Sequence, residues 1–115
     1  MPPDMVPEGD RWFFADARRS QDLFAALVEG YQQGTDGVRW ELIGAWLPWG
    51  FRLAAIPMRV HFWHGEQDPL VARRWVDFTV EHIPDCTLTV WPDAGHFGLA
   101  KHWREVLQVL APSAA

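Results

Sequence analysis

The spacing of apolar positions changes near the middle of the chain. From Asp10 to Gln33, Phe13, Phe14, Leu23, Phe24, Leu27, Val28 and Tyr31 fall mostly three and four residues apart, which predicts helix. Ser20 is a candidate cap within that stretch, and Gly34-Thr35-Asp36-Gly37 stops it. A second helix is predicted over Val38 to Leu47, ended by Pro48, because the residue before a proline disfavours helical angles. Met1 to Pro7, with three prolines, reads as an extended leader, and Trp49 to Pro57 reads as a connector.

From Met58 onward the pattern belongs to a different kind of structure. Met58 to Trp63 is a short apolar run of strand formers, and Thr87 to Trp91 is a second. Between them, Asp68-Pro69 reads as a helix start, with the carboxylate as N-cap and proline in the first turn. That helix runs to about Ile83 and breaks at Pro84-Asp85. Val71, Trp75, Phe78 and His82 are expected on its core-facing side, with Val76, Val80 and Ile83 widening the arc. After the turn Pro92-Asp93-Ala94-Gly95, a last helix aligns Leu99, Trp103, Val106, Leu107 and Leu110. A strand, a crossover of more than a dozen residues and a second strand predict a right-handed parallel pair. Both strands carry apolar residues on both faces, as in sheets covered by helices on each side. Two strands alone leave their edges unpaired, so the pattern reads as the end of a larger sheet. The division expected is 1–57, helical, and 58–115, strand-helix-strand-helix, a mixed α/β architecture.

Composition narrows the classes of function. The 115 residues fit one domain or part of a larger one, and 49% hydrophobic with 22% charged residues is globular usage. Eight tryptophans supply large apolar areas, some of them candidates for surface covered by something else. A net charge of −5 without a basic stripe argues against nucleic-acid binding. Cys86, the single cysteine, excludes an internal disulfide and reads as a small packing residue at a strand start. No apolar run reaches membrane-spanning length and no secretory signal pattern opens the chain, so a cytoplasmic protein is expected. The tail Ala111 to Ala115 is expected to fray.

Two loops carry the candidate chemistry. WHGEQDPLV follows the first strand and DAGHFGL follows the second, placing an acid and a histidine at the carboxyl ends of parallel strands. Open α/β sheets bind their ligands there. The stretch IPMRVHFWHGEQDPLV followed by TLTVWPDAGHFGL resembles the C-terminal part of α/β-hydrolases, over roughly Ile56 to Leu110. That resemblance implies a partial α/β-hydrolase fold: N-terminal cap helices, then a parallel strand-helix-strand-helix unit. It matches Asp68 to the acid and His96 to the histidine of a Ser-Asp-His triad, and implies acyl hydrolysis of an ester or amide without a cofactor. In such a relay the carboxylate fixes the imidazole tautomer and stabilises the imidazolium formed when the far nitrogen takes a proton.

The chain departs from that family in one large respect. The nucleophilic serine belongs in a G-x-S-x-G turn upstream of the acid. The two serines, Ser20 and Ser113, lack that setting, and Cys86 lies at the far end of its strand from His96. The acid and base therefore have nothing within this chain to act on. The expected function is that of a C-terminal fragment or subunit, inactive alone and partnered by a complementing N-terminal hydrolase chain or by its own copies. A small-molecule substrate is expected only once the unit is completed. The alternative is a non-catalytic binding or oligomerisation domain that uses the exposed strand edge. His61 and His64 raise a metal site, but residues three apart on a strand face opposite sides, so none is expected. His82 and His102 read as helix-face residues.

Overall fold

The computed structural model describes residues 6–111, so most of the leader and the tail after Ala111, Ser113 included, lie outside the described residues. Two strands, β1 (Val60–Gly65) and β2 (Cys86–Trp91), pair in parallel, with Val60 opposite Cys86 and Gly65 opposite Trp91. The fold is mixed α/β, as the pattern predicts. β1 lies two residues further along than the apolar run suggested. Its register partners begin at Cys86, and Pro84 offers no amide to pair with Met58. The ladder opens where Val60 N donates to the Asp85 carbonyl at 2.9 Å, beside an Arg59–Asp85 ion pair at 3.1 Å.

The predicted long first helix is broken into three pieces: a 3-10 turn at Glu8–Asp10, α1 (Arg11–Phe14) and α2 (Ala17–Gly30). Asp16 causes the second break. Its backbone is extended, and its Oδ1 accepts the Arg18 and Arg19 amides at 2.9 and 3.0 Å, which restarts the helix. Asp16 is thus the cap in place of Ser20, whose hydroxyl instead donates to the Phe14 carbonyl at 3.2 Å. After α2 the chain turns at Gly34, which takes a left-handed φ of +90°. α3 (Asp36–Trp46) follows and stops ahead of Leu47-Pro48, as predicted.

The second half of the chain brings further corrections. Asp68 caps no helix: α4 (Arg73–His82) begins five residues after it, with Ala72 at the N-cap position. Asp68 Oδ1 closes a local turn instead, accepting the Leu70 and Val71 amides at 2.7 and 3.0 Å. The core-facing side of α4 is the stripe carrying Val76, with Ile83 just beyond the helix, both buried. Trp75 and Phe78 are 53% and 50% exposed, and Phe78 packs outward against His82 with ring centroids 4.0 Å apart. In α5 (Gly98–Leu110) the buried positions are Gly98 and Val106, while Leu99, Trp103, Leu107 and Leu110 remain exposed.

The core is correspondingly small. Trp91, Ala94 and Val106 form it, with Trp63 packed alongside. The Trp91 indole stacks on His102 at 4.4 Å and an interplanar angle of 11°, and its Nε1 donates to Glu105 at 3.2 Å. His102 therefore has a packing role. The radius of gyration is 16.7 Å, against about 13 Å for a compact domain of this size.

Candidate functional site

Parallel pairing brings the ends of β1 and β2 together, so the loops that leave them start side by side. Glu66 N donates to the Trp91 carbonyl at 2.9 Å, Gln67 N to the Ala94 carbonyl at 3.0 Å, and Gln67 Nε2 to the Pro92 carbonyl at 2.9 Å. These bonds lace the acid loop to the histidine loop. Gly65 makes the close approach possible. A Cβ there would fall against the backbone of Ala94 and Gly95, far inside van der Waals contact.

On this scaffold Asp68 and His96, 28 residues apart in sequence, meet at 3.0 Å through Asp68 Oδ2 and His96 Nδ1. An ionised carboxylate only accepts, so the imidazole carries its proton on Nδ1 when neutral. That leaves Nε2 with a lone pair. The two groups differ in exposure: the Asp68 side chain is 7% exposed and that of His96 41%. Burial pushes the Asp68 carboxyl up, but the Val71 amide, the His96 imidazole and the Leu70 amide together outweigh it and hold the group below its ordinary value. Asp68 is thus held ionised beside a histidine that is partly open to solvent.

The pair sits in a cleft of about 310 Å³. β1 lines it from His61 to Gly65, and Trp91, Gly95, Gly98 and Leu99 complete the wall. No third strand pairs with the outer edge of β1 among the described residues. Among the described residues, no hydroxyl or thiol lines the cleft. Cys86 opens β2 at the end away from His96, and burial together with the Asp85 carboxylate raises its thiol above its ordinary value. A less acidic thiol at the wrong end of the strand is a poor nucleophile. His61 Nδ1 pairs with Thr87 Oγ1 at 2.8 Å, and His61 and His64 project to opposite faces of the strand. Among the described residues, no group of three or more His, Cys, Asp and Glu side chains could hold a metal ion.

One participant in the site was not legible in the sequence. Asp10, 2% exposed, lies behind the histidine loop and accepts the His96 amide on Oδ2 and the Phe97 amide on Oδ1, both at 2.9 Å. Phe13 stacks on Phe97 at 4.2 Å and Phe14 meets it edge-on at 5.3 Å. Residues 9–14 therefore pack behind the histidine loop, although the sequence pattern groups them with the helical segment. The signal was weak: an aspartate before an aromatic run reads as a helix start, and nothing nearby marks a contact 86 residues away.

No family model matches the chain, and neither a curated protein nor a solved structure matches it.

Proposed function

We propose that this chain is the acid-and-base portion of an α/β-hydrolase-like catalytic unit, and that its nucleophile comes from a complementing chain seated along the free edge of β1. The observation that carries this reading is the Asp68 Oδ2 to His96 Nδ1 contact at 3.0 Å, at the carboxyl ends of adjacent parallel strands. In the completed unit, His96 Nε2 takes the proton from an incoming hydroxyl as its oxygen bonds to the acyl carbon. The imidazolium then returns the proton to the leaving oxygen or nitrogen, and water repeats the cycle on the acyl intermediate. Asp68 remains ionised throughout and steadies the imidazolium. No resident cofactor has a place in this chemistry.

The test is a panel of p-nitrophenyl esters offered to purified wild type and His96→Ala. The chain alone should give equal rates near background, because nucleophile and oxyanion donors are supplied from outside. Co-expression with an adjacent reading frame that encodes a strand-GxSxG-helix segment should restore turnover, and His96→Ala should abolish it. A complemented pair whose turnover is indifferent to Asp68 and His96 overturns the proposal.

A second reading is favoured by a separate observation. Trp40, Trp46, Trp49 and Phe51 are 72%, 80%, 59% and 57% exposed, so the surface carries apolar area in excess of what an isolated monomer shows. In that reading the chain is a non-catalytic assembly domain, and the Asp68–His96 contact serves only the loop. It predicts stable self-association with no ester turnover under any complementation.

A further inference from the structure

We infer that Asp10 is a positioning residue for His96: its carboxylate fixes the backbone on both sides of the histidine and thereby holds the imidazole against Asp68. The inference rests on the acid-and-base reading above and assigns a role within it to a residue outside the relay.

Asp10 is 2% exposed, and a charge so removed from water persists only where donors replace its hydration. Asp10 precedes α1, where a side chain of its type ordinarily caps its own helix, yet it makes no such bond. Both oxygens go instead to another part of the chain, Oδ2 to His96 N and Oδ1 to Phe97 N, each at 2.9 Å. These two amides belong to the peptide planes immediately before and after the His96 Cα. Holding both planes fixes φ and ψ of His96 together, and with them the direction of its Cα–Cβ bond. Only the side-chain torsions then remain, and the 3.0 Å bond to Asp68 sets those. Amide bonds to a carboxylate are charge-assisted and about twice as strong as neutral ones. The negative charge also lies at the start of α5, where the helix dipole favours it.

Two glycines show how closely the clamp is built. A Cβ on Gly95 would land on the Asp10 carboxylate, and a Cβ on Gly9 would come within 2.6 Å of Gly95 N and 2.7 Å of the Ala94 carbonyl carbon. The segment bearing Asp10 and the loop bearing His96 thus lie backbone to backbone, with side-chain space given up on both sides. The Phe13–Phe97 stack seals the outer flank. A carboxylate serving only the fold of its own segment would need none of this fit to residues 94–97.

The experiment is nitrogen-15 NMR on the full chain, reading the His96 imidazole and the His96 and Phe97 amides. In wild type, both amides should exchange with solvent at least about tenfold more slowly than exposed loop amides, and the imidazole should be protonated at Nδ1. Asp10→Asn, which keeps one acceptor oxygen and drops the charge, should leave the far-UV spectrum unchanged. It should speed exchange of one or both amides about tenfold and shift the imidazole toward a mixture of tautomers. Phe13→Ala, which removes the stack but not the clamp, should leave the tautomer as in wild type. Unprotected His96 and Phe97 amides in wild type overturn the inference without any variant, so its fate does not depend on whether Asp10→Asn folds. Protected amides with an imidazole indifferent to Asp10→Asn also overturn it, since Asp10 then serves the loop alone. The underlying acid-and-base reading fails separately, by a wild-type imidazole identical to that of Asp68→Asn.

Discussion

Asp68 divides its carboxylate between two tasks: Oδ2 meets His96 Nδ1 at 3.0 Å, and Oδ1 accepts the Leu70 and Val71 amides that close its own loop. One side chain therefore shapes the acid loop and orients the base. Because every partner favours the charged form, the group's pKa in the folded chain lies below its ordinary value despite burial.

That depression gives the pH dependence its sign. A carboxyl whose pKa is lower folded than unfolded stabilises the fold above the unfolded value, about 3.9, and loses that contribution as pH falls through the folded value. The thermal midpoint of wild type should exceed that of Asp68→Asn near neutral pH, and the gap should narrow steadily below about pH 4. Thermal scans of both proteins between pH 7 and pH 3 measure this. A gap that widens in acid contradicts the assignment.

Gly65 and Gly44 should respond oppositely to alanine. At Gly65 a Cβ meets the Ala94 and Gly95 backbone, which cannot move without separating the two loops, so Gly65→Ala should cost about 1–3 kcal/mol or more. At Gly44, within α3, a Cβ meets nothing, and Gly44→Ala should stabilise the fold by up to about 1 kcal/mol. Urea midpoints of the two variants against wild type decide both signs.

The contrast between these glycines reflects what the sequence could and could not disclose. The parallel pair was legible because a helix-length crossover between two apolar runs allows little else, and the meeting of Asp68 with His96 follows from that topology. The boundary of β1 was not, because it depends on its partner: β2 starts at Cys86, and Met58 would face Pro84, which has no amide to pair. The turn at Asp68 is not legible either, because an Asp-Pro pair carries the same local signal in a turn as at a helix start. Asp16 was hidden inside an apolar period that ran through it. Asp10 was illegible for a different reason, since its partners are backbone amides, which leave no mark on residue type.

Trp91 should be the costliest single truncation among the described core residues. It is 6% exposed, stacks on His102 at 4.4 Å and donates to Glu105 at 3.2 Å. Removing an indole from a core of this size leaves a cavity that few neighbours can refill, so Trp91→Ala should lose about 3–5 kcal/mol. Equilibrium denaturation measures the loss directly. A value under about 1 kcal/mol would place the stabilising contacts elsewhere.

The isolated chain should associate, because it exposes more surface than a compact monomer of its size. The accessible area is 9096 Å², whereas a compact monomer of 13.2 kDa exposes roughly 6,400 Å². The excess exceeds the roughly 800 Å² that each partner buries in a standard protein interface. Exposed apolar side chains lie on α2, α3 and the segment after α3, at Phe24, Trp40, Leu42, Trp46 and Trp49. The free edge of β1 adds backbone donors and acceptors that another strand can pair. Multi-angle light scattering across a concentration series should therefore return masses above 13.2 kDa, or loss of soluble protein, for the isolated chain. Trp40→Glu combined with Trp46→Glu should lower the average mass without changing the far-UV spectrum. A mass of 13.2 kDa held at high concentration, together with one cooperative unfolding transition, would show that the exposed apolar surface needs no cover.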